Sequence, residues 1–282
     1  MFHEAQGGAD GLVLPNGRKI SILPDRKEMK AMIRFILVSL SVILFLVLSI
    51  PILIIEWFIG KTNPEKRDWQ SLNIVKGMFR YLLALTGVTV TVKGAENIPT
   101  KTAVLFVGNH RSYFDILVGY VTVPSLTGFV AKKEMLRYPL LKDWMRNVNC
   151  LFLDRVNMKE GLKTILTGIE KVKHGISIWI FPEGTRNRNK DVLEMLPFKE
   201  GSLKIAEKAG CPVVPVAITG TAEIFESHIP FMKPSHVIIE FGTPFYVKEL
   251  EPEKKKFAGA YTRDIIKGML EDQLEERESW KA

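Results

Sequence analysis

Residues 109–115 read Asn-His-Arg-Ser-Tyr-Phe-Asp and follow the apolar stretch Ala103–Val107, so a His and an Asp stand five positions apart where a buried strand gives way to a helix. A strand ending at Val107, then Gly108, then a helix beginning near Ser112 would place His110 in the connecting turn and Asp115 on the first helical turn, able to reach the imidazole. An imidazole has an ordinary pKa of about 6.5 and accepts a proton at neutral pH. A carboxylate on its other nitrogen fixes the tautomer and stabilises the imidazolium, so His110 reads as a held general base. No Ser or Cys stands in a strained elbow such as G-x-S-x-G. The pair therefore looks built to activate a hydroxyl that the substrate brings. The blander reading is a helix-capping His110 and an Asp115 that merely favours the helix's positive end.

A second cluster favours chemistry over capping. Ser177–Phe181 is a short apolar strand candidate that runs into Pro182-Glu183-Gly184-Thr185-Arg186, then Asn187, Arg188, Asn189 and Lys190. Pro and Gly there permit unusual backbone angles. Such a turn offers backbone N–H groups together with guanidinium forks, and bidentate Arg–phosphate pairing is the strong form of that contact. Between the clusters, Cys150–Leu153 is again strand-like and ends in Asp154-Arg155. Three strands thus end in loops suited to phosphate.

These residues resemble the lysophosphatidic-acid acyltransferase family of the glycerolipid acyltransferase superfamily. Its first motif, N-H-x-x-x-x-D, is matched by Asn109, His110 and Asp115, and its second by Phe152-Leu153-Asp154-Arg155. The third, F-P-E-G-T-R, is matched without change by Phe181 to Arg186, and the fourth, a short apolar strand holding a proline, by Val213-Val214-Pro215-Val216-Ala217. Val130 to Glu134 supplies the Lys-rich stretch that precedes the family's second motif. The similarity covers roughly Val88 to Gly242. One departure is Lys142, where the family's pattern places a glycine after the Pro139-Leu140-Leu141 turn.

The resemblance implies transfer of a fatty acyl group from a thioester donor, acyl-CoA or acyl-carrier protein, to the free hydroxyl of 1-acylglycerol 3-phosphate (lysophosphatidic acid), forming phosphatidic acid. It implies no metal and no cofactor. His110 would take the hydroxyl proton and Asp115 would orient His110. Arg155, Glu183, Gly184, Thr185 and Arg186 would form the acceptor-phosphate pocket, with Lys132 as a further cation. The acceptor could instead be glycerol 3-phosphate or another lysophospholipid. From other classes, a lipid hydrolase would release free fatty acid without an acceptor, and a silent membrane-binding protein would have no physical need for the intact His110, Asp115, Glu183 and Arg186.

The elements that must position these residues alternate. Strand candidates at Val88–Val92, Ala103–Val107, Gly128–Ala131, Cys150–Leu153, Ser177–Phe181, Val213–Thr219 and Val237–Phe241 are separated by helical stretches near Ser112–Val121, Leu140–Arg146, Lys159–Lys173 and Gly201–Ala209. That order predicts an α/β fold, a largely parallel mixed sheet flanked by helices, with ligands at the carboxyl ends of the strands. Phe257, Tyr261, Ile265, Ile266, Met269, Leu270 and Leu274 recur at helical spacing and predict an amphipathic closing helix.

An N-terminal membrane-embedded helical segment is expected ahead of this domain. Phe35 to Ile55 is free of charge over 21 residues, long enough as a helix to reach about 30 Å. Pro51 breaks or kinks it, and Lys/Arg residues flank it evenly, so the positive-inside rule picks neither side. Ser71–Leu85 reads as an interfacial amphipathic helix, and with the first segment it could form a hairpin in one leaflet. The expected organisation is a leader over 1–32, a membrane-associated segment over 33–86 and an acyltransferase domain over 87–282, on the cytoplasmic face of a bacterial inner membrane. The net charge of +8 suits anionic lipid. Nucleic acid as a partner is excluded, since no recognised nucleic-acid motif accompanies the charge. Cys150 and Cys211 sit in apolar contexts and read as core thiols of a reduced compartment.

Overall fold

The structure is a computed structural model and describes residues 12–13, 19–20 and 26–279. Most of the expected leader lies outside those residues. Two short strands, β1 (Leu12–Val13) and β2 (Lys19–Ile20), pair antiparallel. Three helices follow: α1 (Arg26–Leu48), α2 (Ile50–Thr62) and α3 (Pro64–Thr86). The charge-free run is thus divided at Ser49, two residues before Pro51. Pro51 has no N–H for the helical ladder and its ring crowds the preceding turn, which accounts for the break. Asn63 caps α3 by accepting the Lys66 N–H at 3.0 Å, Pro64 opens the helix, and Gly87 closes it at φ +74°.

Beyond α3 the chain alternates as the sequence predicts. In order come β3 (Thr89–Lys93), β4 (Leu105–Gly108), α4 (Phe114–Thr122), β5 (Thr127–Lys132), α5 (Leu141–Asn147) and β6 (Leu151–Leu153). They are followed by α6 (Met158–Lys173), β7 (Ser177–Ile180), α7 (Lys204–Ala209), β8 (Val213–Thr219), β9 (His236–Phe241), α8 (Pro252–Lys256) and α9 (Ala258–Ser279). Seven strands form one sheet in the order β3-β9-β8-β4-β7-β5-β6, and only the β8–β9 pair is antiparallel. Val107 stands opposite Ile180 on β7 and Pro215 on β8. That register brings the loops after β4, β7 and β8 to one edge, where an α/β sheet places its ligands.

Side chains alternate across the sheet. Phe106 and Trp179 stack at 5.1 Å on one face, within a core that α1, α3, α4 and α5 help to cover. Leu105, Ile178 and Val213 point to the other, where they meet residues of α6, α7 and α9. The closing helix buries Ile266 and Leu270 in this second core.

The expectation that Ser71–Leu85 lies at a membrane interface is corrected. Helix α3 is a core helix, packed against α1 and α2 as well as α4 and α5, with Leu72, Val75, Leu82 and Leu83 buried. Even Lys76 of its polar stripe is enclosed, its ammonium donating to the Val123 carbonyl at 2.5 Å. The pair of helices that presents apolar surface is α1 and α2, where Ile43, Leu48, Ile55, Trp57 and Phe58 are all exposed. The missing glycine at position 142 has no conformational cost. Lys142 is helical, on α5, and the unusual backbone falls on Leu140 at φ +64°, the centre of a γ-turn closed by the Leu141 N–H on the Pro139 carbonyl at 2.7 Å.

Candidate functional site

His110 and Asp115 meet in the turn between β4 and α4. The imidazole Nδ1 lies 2.8 Å from Asp115 Oδ2. That same oxygen accepts the backbone N–H groups of Arg111 at 2.7 Å and Ser112 at 2.8 Å, and Oδ1 accepts the Thr221 hydroxyl at 2.5 Å. Asp115 is 1% exposed, so this carboxylate replaces its lost water with four protein donors. A carboxylate only accepts, so Nδ1 carries the proton and Nε2 is left with a free lone pair. His110 lines the large cavity of the domain.

The turn is braced from three sides. Asn109 clasps both backbone groups of Ile218, donating to its carbonyl at 2.9 Å and accepting its N–H at 2.8 Å, which ties the end of β4 to β8. The His110 N–H donates to Glu183 Oε1 at 2.9 Å, and the His110 carbonyl accepts from Asn187 N–H at 2.7 Å. The imidazole stacks on Phe181, with centroids 4.1 Å apart and planes 11° from parallel. The backbone and the ring are thus both held before any substrate arrives.

Glu183 does not line the cavity. One carboxylate oxygen takes the His110 N–H and the other takes the Leu196 N–H at 3.1 Å. Burial pushes its carboxyl above the usual range, and those two N–H bonds offset part of that. The geometry makes it a strut between two loops, in place of the phosphate contact expected from the sequence. Gly184, Thr185, Arg186, Arg155 and Lys132 do line the cavity, joined by Arg188 and Lys199. Gly184 takes φ +74°, a conformation that favours glycine. Arg155 donates to the Gly184 carbonyl.

Arg186 is already engaged. Its Nη1 lies 3.0 Å from Glu226 Oε1, its Nη2 donates to the Tyr113 hydroxyl at 3.1 Å, and its Cζ sits 3.7 Å from the Tyr113 ring centroid. Glu226 also accepts the Ser112 hydroxyl at 2.6 Å and the Tyr113 N–H at 2.8 Å. Thr221 and Glu226 were missed by sequence reasoning. The available signal was their place just beyond the carboxyl end of β8, at the edge that carries the other motifs. Lys133, next to Lys132, is paired with Asp154 at 2.9 Å.

The cavity holds about 700 Å³. Lys132, Arg155, Arg186, Arg188 and Lys199 line it together with His110 and Phe181, and so do apolar residues of α1, α3, α4 and α5, among them Phe45, Val75, Phe79, Tyr120 and Trp144. Tyr120 and Cys150 meet at 3.3 Å in that wall, and burial raises the pKa of both. A molecule with an anionic head and a long apolar tail matches this lining. Among the described residues, no three His, Cys, Asp or Glu side chains gather as metal ligands.

An imidazole with a buried carboxylate partner, in a cavity lined by both cationic and apolar side chains, suits a lipid-modifying transferase, and the comparisons agree in kind. The family model described as Acyltransferase matches residues 89–219. A 1-acyl-sn-glycerol-3-phosphate acyltransferase of Borreliella burgdorferi is 31% identical over 201 residues, covering 71% of this chain and 79% of the relative. A probable 1-acyl-sn-glycerol-3-phosphate acyltransferase of Mycoplasma pneumoniae is 33% identical, covering 72% and 79%. The crystal structure of the 1-acyl-sn-glycerophosphate (LPA) acyltransferase PlsC of Thermotoga maritima superposes with a TM-score of 0.74 at 26% identity, over 88% of this chain and 97% of that one. The chain belongs to the 1-acylglycerol-3-phosphate acyltransferase family of the glycerolipid acyltransferase superfamily.

Proposed function

We propose that this protein transfers a fatty acyl group from acyl-CoA or acyl-carrier protein to the free hydroxyl of 1-acyl-sn-glycerol 3-phosphate at the membrane surface, forming phosphatidic acid. The observation that carries this reading is His110, held by Asp115 and lining one cavity with both cationic and apolar side chains. His110 Nε2 takes the hydroxyl proton as the oxygen attacks the thioester carbonyl. Asp115 stabilises the imidazolium that results, and collapse of the tetrahedral intermediate expels the thiolate, which recovers the proton from Nε2. The bond formed is the ester C–O, and the bond broken is the thioester C–S. The apolar wall holds an acyl chain away from water, while Lys132, Arg155 and Arg186 favour the acceptor phosphate.

Helices α1 and α2 serve this reading as the lipid contact. One helix among the described residues, α1, is long and apolar enough to cross a membrane. It is nevertheless fastened along its length: the Ala31 carbonyl accepts from Met232 N–H at 3.2 Å, Phe35 stacks on Phe225 at 5.5 Å, and Ser49 accepts the Trp144 indole N–H at 2.8 Å. Ties to the domain near both ends favour a helix that lies along it over one that leaves it to cross. At 13 residues, α2 reaches only about 20 Å, short of the roughly 30 Å hydrocarbon core. The pair therefore suits a hairpin in one leaflet, on the cytosolic side where acyl thioesters are made.

The test is the purified protein in detergent with radiolabelled lysophosphatidic acid and each donor in turn. Labelled phosphatidic acid from the wild type, absent with His110→Ala, is the expected result. Free fatty acid released without an acceptor would make the protein a hydrolase instead. Labelled product with glycerol 3-phosphate as the better acceptor would move it within its superfamily.

A further inference from the structure

The cavity wall holds more positive charge than its motif residues account for. Arg186 is balanced by Glu226, and Lys133, just outside, by Asp154. Lys199 lies in none of the motifs, lines the same cavity, and its ammonium has no hydrogen-bond or ion-pair partner among the described residues.

The chain around Lys199 is built to hold it in place. Phe198 is buried in the core, and the Lys199 N–H donates to the Pro182 carbonyl at 3.2 Å. Glu200 accepts the first-turn N–H groups of α9, from Gly259 at 2.7 Å and Ala260 at 3.1 Å. With its neighbours fixed on both sides, the Lys199 side chain runs across the bare face of Gly184. A Cβ at position 184 would stand 3.1 Å from Lys199 Nζ and 3.3 Å from Cε. Arg155 donates to the carbonyl of that same glycine. Two cations therefore converge on one backbone turn, and the carboxylates beside it are spent: Glu183 on two N–H groups, Asp154 on Lys133 and the Val156 and Asn157 N–H groups. Glu134 reaches Arg155 only through space. Like charges gathered on one turn, with no carboxylate in ion-pair contact, are relieved by an anion.

We propose that Lys199, together with Arg155, forms a phosphate subsite over the Gly184 turn that receives a phosphate ester of one of the two substrates. The proposal rests on the acyl-transfer reading above. Two substrates supply the same chemistry: the phosphomonoester of the acceptor, and the pantetheine phosphate that acyl-CoA and acyl-carrier protein share. The bare face of Gly184 follows from this arrangement, because a side chain there would push the ammonium off the subsite.

The experiment is steady-state kinetics of Lys199→Met and Lys199→Arg with substrates that keep or lack each phosphate. The acceptors are lysophosphatidic acid and monoacylglycerol; the donors are acyl-CoA and the acyl thioester of N-acetylcysteamine. A charge-assisted hydrogen bond to phosphate predicts a loss of about tenfold or more in kcat/KM for Lys199→Met, and Lys199→Arg recovers most of it. If the acceptor phosphate fills the subsite, the loss disappears with monoacylglycerol. If the donor phosphate does, it disappears with the truncated thioester. A loss that persists undiminished with both phosphate-free substrates, or no loss with any, overturns the subsite. Failure of the acyl-transfer reading is distinguishable, because the wild type would then make no phosphatidic acid. In that event, calorimetric titration with glycerol 3-phosphate decides, and equal binding by wild type and Lys199→Met rejects the proposal.

Discussion

The Thr221 hydroxyl donates to Asp115 Oδ1 at 2.5 Å, across a separation of 106 residues. Asp115 is the carboxylate that holds His110, and Thr221 is the only side-chain hydroxyl among its four donors. The loop after β8 thereby sets the orientation of the imidazole carried by the loop after β4, and the order of strands in the sheet becomes a condition of that geometry.

Thr221→Val should lower kcat several-fold and leave both KM values near the wild type, because Thr221 acts through Asp115 and touches no substrate. Losing one hydrogen bond to a buried charge is worth about 1.5–3 kcal/mol if all of it were felt in turnover, and the three remaining donors soften it. Thr221→Ser keeps the hydroxyl and should recover activity. Equal losses in both variants would assign the effect to packing.

His110→Ala should remove about 10²–10⁴-fold of turnover, the usual worth of a positioned base, with circular dichroism unchanged. Asp115→Asn presents an NH₂ in a pocket of N–H and O–H donors, so it loses the partner of the imidazolium and adds a donor–donor conflict. Its turnover should fall as well, and its unfolding midpoint with it, whereas His110→Ala should leave the midpoint close to the wild type. Matching unfolding midpoints for Asp115→Asn and the wild type would show that the four-donor cage is not stabilising the fold.

Arg186 is held by Glu226 and Tyr113 before substrate binds, so two variants separate its charge from its placement. Arg186→Ala should raise the KM for lysophosphatidic acid by about tenfold or more, through loss of a charge-assisted contact, and leave the KM for the donor little changed. Glu226→Gln keeps the shape but removes the counter-charge, freeing Arg186 to pair with phosphate while loosening Ser112 and Tyr113. A lower KM for the acceptor together with a lower kcat is the expected signature. If both variants raise the KM of the donor alone, Arg186 belongs to the donor's phosphate.

Asp154 is held down to a pKa of about 2, first by the Asn157 N–H, then by Lys133, then by the Val156 N–H. A carboxylate with a depressed folded-state pKa stabilises the fold above its unfolded value of about 3.9, and that contribution is lost as pH falls through the folded value. The Asp154 loop, which carries Arg155 at the start of α6, should therefore persist at pH 4 and loosen only towards pH 2. Carboxyl-carbon NMR titration reads this directly. A midpoint near 4 would mean that the loop's hydrogen bonds do not form in solution.

Much of the site is legible in the sequence because its strongest constraints are local. His110 and Asp115 are five residues apart, and Gly184 and Arg186 share a turn, so residue types at short spacing suffice to find them. Glu183 lies in the same turn, but its task is set by partners 73 residues back, at His110 N–H, and 13 residues on, at Leu196 N–H. Thr221, Glu226 and Lys199 are brought in by the sheet and carry no mark of their own in the sequence. The fold divides the same way: β8 is legible residue for residue from its continuous apolar run. The burial of α3 was not, since an apolar stripe announces a covered face without saying whether lipid or protein covers it. Lys76 misleads for the same reason, because its partner is a carbonyl 47 residues away.

The placement of α1 makes a prediction about sidedness. Its contacts at Ala31, Phe35 and Ser49 hold both ends of the helix against a domain that, under the proposed function, meets acyl thioesters in the cytosol. Lys30, one residue before the first of these contacts, and Lys61, near the end of α2, are both exposed. Single cysteines at the two positions, in a Cys150→Ser, Cys211→Ser background, should therefore react with a membrane-impermeant maleimide from the same side in sealed inverted vesicles. A crossing α1 would put them on opposite sides, and it would have to give up the Phe35–Phe225 stack and the Met232–Ala31 hydrogen bond to do so. Labelling of position 30 only from the far side would leave the catalytic pair untouched and replace the one-leaflet hairpin by a spanning anchor.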